Sequence, residues 1–257
     1  MFANYHTHTW RCNHAEGTEV QYVRNAVKNG VKILGFSDHT PHFYPNGYYS
    51  HNVRMTPEQL TDYVETVERL REKFRDQIEI HIGLEAEYYP ELFPKLLDFL
   101  KDKPIEYLLL GQHFLGNETG EFYCGTKTED ENLLARYCNQ SMAGMNTGRF
   151  TYFAHPDLIN FTGDKKIYKK HIRELCREAN SCDMPLEINL VGVALQLQYP
   201  NPAFWEVAAE ENCKVIIGRD AHKPDAFDDH ESERKAMQIV EKYGLKLIDT
   251  VDFKPVR

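Results

Sequence analysis

Apolar residues along this chain fall into short, dense runs separated by longer amphipathic stretches. The dense runs are rich in β-branched and aromatic residues and predict strands over 2–6, 31–37, 78–87, 105–113, 150–155, 186–190 and 214–220. Helical periodicity fits near 19–29, 57–74, 129–145, 165–180, 202–212 and 230–243. The second of these is the best marked. Thr56 offers a cap, Pro57 suits a first helical position, and Leu60, Val64, Val67 and Leu70 lie along one stripe. Strand–helix alternation predicts a parallel sheet, open or closed. No repeat, low-complexity tract or linker interrupts it, so one domain over residues 1–257 is the simplest reading. The aromatic segment 41–51 follows the second strand. It reads either as a packed surface loop or as part of a substrate pocket over the strand C-termini.

A chain of 257 residues matches the size of one α/β barrel, commonly ~250 residues. The formal net charge of −9 argues against a broad electrostatic grip on nucleic acid or on an anionic membrane. It leaves room for a small phosphate ester, whose charge a local cation or metal can meet. No apolar run approaches the ~20 residues of a membrane span. The first five residues lack the basic start and apolar stretch of a signal peptide, so a cytoplasmic location is expected. None of the six cysteines forms a C-x-x-C pair, which disfavours a zinc knuckle and predicts free thiols.

The histidines carry the chemistry. His6 and His8 come at the end of the first strand, with His14 just beyond; His39 ends the second, His113 the fourth and His155 the fifth, and His222 follows the seventh. Glu85 and Glu87 lie in the third strand, Asp38 precedes His39, and Asp220 stands two residues before His222. In a barrel, strand C-termini are where active sites are built. Residues i and i+2 of a strand share a face, so His6 can act with His8, and Asp220 with His222. Imidazole suits zinc, iron or manganese, and a carboxylate can bridge two ions and limit their repulsion. A lone His-x-His is as often incidental as functional. Seven histidines at strand ends are hard to assign to a core, because histidine is only moderately often buried. His42, three residues after His39, is a candidate for binding phosphate or relaying a proton at the mouth of the site. His81 reads as a packed strand residue, and His171 and His230 as exposed helix residues.

The segments His6-Thr7-His8-Thr9, Ser37-Asp38-His39, Gly83-Leu84-Glu85-Ala86-Glu87, Gly111-Gln112-His113, Ala154-His155-Pro156-Asp157 and Gly218-Arg219-Asp220-Ala221-His222 resemble the polymerase-and-histidinol-phosphatase (PHP) superfamily, in its order. The resemblance implies a distorted seven-stranded (β/α) TIM-like barrel holding two or three divalent transition-metal ions, zinc, manganese or iron. It implies that His6, His8, Glu85 and Asp220 hold the first ion. Glu85, His113 and His155 would hold the second, and His14, His39 and His222 the third. Asp38 would orient ligands from behind. Glu87 competes with Glu85 on one strand face, and the family motif favours Glu85.

Within the superfamily the chain looks most like histidinol-phosphate phosphatases. The features are its length, the Gly-Leu-Glu-Ala-Glu-Tyr-Tyr-Pro run, Arg54-Met55 with Leu60 and Tyr63, and Glu187-Ile188-Asn189 with Tyr199-Pro200. The implied activity is hydrolysis of a phosphate monoester by a metal-activated hydroxide, with Glu85, Asp220 and His42 as catalytic residues. Histidinol phosphate leads; another small phosphorylated metabolite, then phosphodiester or nucleic-acid cleavage, follow as alternatives, and a non-enzymatic metal-binding role comes last. Two departures bear on the substrate. Gly192-Val193-Ala194 replaces a Gly-Leu-Arg, and Asn160 stands where a basic residue is common. Arg219 occupies a position often held by serine. Its bland reading is an arginine packed between strand and helix; its functional reading, with His42 and Arg54, is contact with substrate.

Overall fold

The computed structural model describes residues 1–120 and 122–256. Each predicted apolar run forms a strand: β1 Ala3–Asn4, β2 Ile33–Phe36, β3 Glu79–Ala86, β4 Tyr107–Leu110, β5 Phe150–Phe153, β6 Leu186–Asn189 and β7 Lys214–Gly218. Most are shorter than the apolar pattern, because the chain leaves the ladder at their C-terminal ends, where the histidines and acids sit. A further strand, β8 (Lys246–Leu247), pairs with β7. All pairs are parallel, in the order β1 to β8.

The sheet curls, and its two sides meet at the C-terminal rim. Thr7, past β1, bridges Ala221, past β7; His8 N–H donates to the Ala221 carbonyl at 2.9 Å and Ala221 N–H to the His6 carbonyl at 3.1 Å. The inside of the curl is packed by Ala3, Tyr5, Tyr107, Leu109, Tyr152 and Ile216. Phe253, from the C-terminal segment, stacks on Tyr107 with ring centroids 4.7 Å apart. With the interior filled, the C-terminal rim is the place for an open cleft.

The helices are α1 Glu19–Lys28, α2 Gln59–Phe74, α3 Phe93–Leu100, α4 Glu131–Met145, α5 Lys165–Ser181, α6 Leu190–Leu195, α7 Pro202–Glu210 and α8 His230–Tyr243. The predicted stripe of α2 is buried at Leu60, Val64, Val67 and Leu70. The periodicity did not reveal α3 and α6. Both are shorter than a clear amphipathic signal needs, and α6 starts directly at the end of β6. Segment 41–51 is a packed loop: Tyr44 is buried with Tyr89 and Leu92, and it is the continuation, Asn52 and Val53, that reaches the cleft. No helix among the described residues is long and apolar enough to cross a membrane.

Candidate metal centre

The rim geometry gathers the strand-end residues around one carboxylate. Glu85 Oε2 lies 3.4 Å from His6 Nε2, 3.4 Å from His8 Nε2 and 3.1 Å from His39 Nδ1. Its other oxygen lies 2.9 Å from His155 Nε2 and 3.7 Å from His113 Nε2. A side chain at position 111 would collide with the Glu85 carboxylate, so the glycine there makes room for it. Asp220 Oδ1 faces the same space, 3.4 Å from His6 Nε2 and 3.1 Å from His8 Nε2. Two of these residues stand on bent backbone: φ is 33° at His155 and 51° at Asp220. Left-handed conformation is costly for residues other than glycine and concentrates at functional sites. Beside this group, His14 and His222 face each other with Nε2 atoms 2.9 Å apart, and His39 joins them.

Several of these atoms lack any hydrogen-bond partner although they are buried: His6 Nε2, both ring nitrogens of His8, His39 Nδ1 and Asp220 Oδ1. Buried polar atoms are nearly always satisfied. Converging imidazole nitrogens and carboxylate oxygens are the donor set of zinc, manganese and iron. The residues present therefore fit divalent transition-metal ions. Cys12, buried near His8 and His222, is a further potential donor that the sequence reading did not include.

Behind the rings lie groups that fix them. His6 Nδ1 is 2.9 Å from Glu187 Oε1, and His113 Nδ1 is 2.9 Å from Glu87 Oε1. Nδ1 of His14 and of His222 approach the carbonyls of Cys12 and Asp220, at 2.8 and 2.9 Å. A ring that donates from Nδ1 keeps Nε2 bare for an ion. Asp38 Oδ1 accepts the His39 N–H at 2.8 Å and lies 3.5 Å from His8 Nδ1. A side chain at position 218 would strike Glu187, so Gly218 is what lets that carboxylate sit beneath His6. Glu187 appeared in the sequence reading only within a motif; nothing in its spacing ties it to His6.

Charge is tightly correlated here. Burial would raise the Glu85 carboxyl, but the rings of His39, His6 and His113 hold it well below the ordinary carboxylate range. Asp220 behaves likewise: burial opposes ionisation, and His6 and His222 override it. Burial would lower His6, yet Asp220, Glu187 and Glu85 hold it well above the ordinary histidine range. His222 goes the other way, pushed to about 3 by burial and by its neighbour His8.

The three residues expected to touch substrate are placed otherwise. His42 is buried, with Nε2 3.1 Å from Glu87 Oε2. Arg54 is fully buried; it donates to both oxygens of Glu87 at 3.2 and 3.0 Å and pairs with Glu118. Neither lines the cleft. Arg219 does, but its guanidinium turns to the carbonyls of Ala226 and Asp229, at 2.7 and 3.3 Å, and to Glu233 at 2.7 Å. The chain does bend after Gly218, and the long side chain follows the α8 side of that bend. The departures at 194 and 160 also separate. Ala194 lines the cleft, whereas the Asn160 amide donates to the Gly125 carbonyl at 3.2 Å. His81 pairs with Glu79 and Glu106, and His171, half-buried, with Glu131.

The cleft over this centre has a volume of about 910 Å³. Its lining combines His14, His39, Glu85, His113, His155 and Asp220 with the apolar Phe114, Tyr123, Leu158, Leu195 and Tyr199. The model of the PHP domain family matches residues 4–190. A Schizosaccharomyces pombe protein named "Probable histidinol-phosphatase" is 31% identical over 246 residues, 85% of this chain and 80% of that one. The histidinol-phosphatase of Lactococcus lactis is 26% identical over 263 residues, 96% of this chain and 93% of that one. Among solved structures, the histidinol phosphate phosphatase of Lactococcus lactis, complexed with zinc, L-histidinol and phosphate, superposes with a TM-score of 0.77 at 21% identity, over 100% of this chain and 98% of that one.

Proposed function

The chain belongs to the PHP domain family, and from that premise we propose that it is a metal-dependent phosphomonoester hydrolase whose leading substrate is histidinol phosphate. The observation that carries this reading is the convergence of His6, His8, Glu85 and Asp220 on one buried point with ring nitrogens that no protein group satisfies. The names of the relatives supply the substrate. In this reading His6, His8, Glu85 and Asp220 would hold one ion, Glu85 with His113 and His155 would hold a second, and His14, His39 and His222 a third.

Divalent ions bound there would neutralise phosphoryl oxygens and lower the pKa of water towards neutrality. The chain's own residues prepare the rest. Asn189 donates to Asp220 Oδ2 at 3.1 Å, which leaves Oδ1 turned inward between His6 and His8. Glu85 offers its two oxygens in different directions, one towards His8 and one towards His155. The apolar wall takes the carbon part of the ester and limits the access of bulk water. Cations on the cleft wall are Arg219, committed to Glu233, and Lys223, which pairs with Glu16 at 3.2 Å at the exposed rim. With Ala194 on the wall, the phosphate depends on ions more than on guanidinium. Six free cysteines suit a reducing compartment, and we place the protein in the cytoplasm.

The test is a substrate panel with metal analysis. Protein reconstituted with zinc or manganese should carry two or three ions per chain and hydrolyse histidinol phosphate faster than phosphodiesters or oligonucleotides. A chelator should remove that activity. Turnover of diesters alone, or no bound metal after supplementation, would overturn the reading.

A further inference from the structure

Outside the ion-facing residues, the molecule holds a second buried cluster of charges, Glu87, Arg54 and Glu118, with side chains 0%, 0% and 2% exposed. The proposed chemistry uses none of them. Arg54 occupies the centre. One of its nitrogens donates to the Thr40 carbonyl at 2.8 Å and to Glu87, and the other to Glu87 and to the Glu118 carboxylate. Glu87 in turn accepts from His113 Nδ1 and lies against His42.

The connectivity of these groups is informative. His113 is the last residue before a loop that leaves at Phe114 and returns at Tyr123, where the two residues bridge antiparallel with rings 5.3 Å apart. Leu115 N–H donates to the Phe122 carbonyl at 2.9 Å, and Cys124 N–H to the His113 carbonyl at 2.7 Å. Glu118 lies at the far end of this excursion and folds back to Arg54. Phe114 and Tyr123 line the cleft, as do Asn52 and Val53, immediately before Arg54. One guanidinium thus ties two cleft-wall loops to the carboxylate that orients His113. Removing Arg54 would leave two buried carboxylates uncompensated, whereas removing Glu118 frees its own segment and leaves Arg54 paired with Glu87 alone.

We propose that Glu118, Arg54 and Glu87 are positioning residues: a buried charge chain that couples the seating of the 114–120 segment, which carries Glu118, to the posture of His113, and so to ion affinity at that position. The inference rests on the proposed reading of His113 as a ligand. By reciprocity, ion binding at His113 must then stabilise the loop to the same degree that the seated loop favours the ion.

The experiment uses the full chain, stripped of metal, as parent, Glu118→Gln, Arg54→Lys and His113→Ala. Zinc is titrated against a chromophoric chelator, and amide exchange is followed at Leu115 and Cys124 with and without zinc. Glu118→Gln should weaken one zinc several-fold while the others hold, less than the roughly ten-fold or more typical of losing the group directly behind a ligand, because Glu87 still orients His113. Arg54→Lys, which keeps a charge but loses the fork, should act in the same direction. In the parent, zinc should slow exchange at both amides, and Glu118→Gln should remove that protection. A lower melting temperature in Glu118→Gln with the parent's zinc titration and exchange pattern would overturn the proposal, leaving the chain as packing alone. An unchanged titration in His113→Ala would overturn the ligand reading itself and remove the proposal with it.

Discussion

Glu187→Gln is a nearly isosteric change with a large expected effect. Four donors converge on this buried carboxylate. Oε1 faces His6 Nδ1 at 2.9 Å and the Tyr152 hydroxyl at 3.2 Å; Oε2 faces the His155 N–H at 3.0 Å and the Asn189 amide at 2.9 Å. An amide has one acceptor oxygen, so whichever way it turns, two donors meet its NH2. Hydrogen bonds to a charged group contribute about 1.5–3 kcal/mol each, so an NH2 turned to the His155 N–H and Asn189 loses two bonds and on the order of 3 kcal/mol or more of stability, whereas turned the other way it can donate to the Tyr152 hydroxyl. If the NH2 faces His6, the ring must present a bare Nδ1 and carry its proton on Nε2, where the ion should bind. If it faces His155, the His6 tautomer survives but its partner has lost its charge. Either outcome lowers metal affinity, by about 10–100-fold for a group of this kind. Chelator competition on the metal-free protein reads the affinity, and denaturant unfolding reads the stability. Affinity within about two-fold of the parent would refute the argument that Glu187 sets the His6 tautomer, whatever the stability shows.

Three other outcomes follow from the site. Arg219→Ser removes the tie to Glu233 and two carbonyl bonds; it should lower the melting temperature by several degrees, on the order of 4–8 °C for ~2 kcal/mol, with KM for a monoester unchanged. A several-fold rise in KM at constant melting temperature would instead make it a phosphate contact. Ala194→Arg places a guanidinium on the cleft wall and should lower KM for histidinol phosphate at similar kcat; no change in KM would mean that another cation, Lys223 first, already serves. Burial opposes protonation of His6 and His8 in the metal-free protein, but Asp220, with Glu187 for His6 and Asp38 for His8, holds both well above the ordinary histidine range. At pH 7 an arriving ion must therefore displace protons, so affinity should weaken as pH falls and strengthen as it rises. Calorimetric titration in buffers of different ionisation heat checks this, and binding without proton release at pH 7 would contradict it.

The parts of this molecule that were legible in the sequence share a physical cause. Strands betray themselves by short-range composition, and a cleft at strand C-termini collects whatever polar residues end those strands. Hence the sequence places the histidines at 6, 8, 39, 113 and 155 on one rim. The helices that were missed, Phe93–Leu100 and Leu190–Leu195, are too short for periodicity to accumulate. The groups behind the rings were hidden for a different reason. His6 and Glu187 are separated by 181 positions, and Arg54 and Glu87 by 33, and such pairings are properties of the curled sheet and its loops rather than of local spacing.

Glu85 and Glu87 show where alternation stops being informative. Two residues apart, they should face the same way, and a strand rule alone cannot say which one turns to the ions. The structure separates them by what stands opposite. Glu85 is still within β3, and Gly111, just past the neighbouring strand β4, leaves a space that its carboxylate fills. Glu87 lies past Ala86, the last ladder residue, where Arg54 and His42 claim its oxygens. An arginine that reads from sequence as a loop cation free to meet phosphate is instead paired with this second carboxylate, which also touches His113. That division of labour depends on a missing side chain at 111 and a buried cation at 54. A single substitution at either position, Gly111→Ala or Arg54→Met, should therefore disturb the ion-facing arrangement more than most changes on the cleft wall itself.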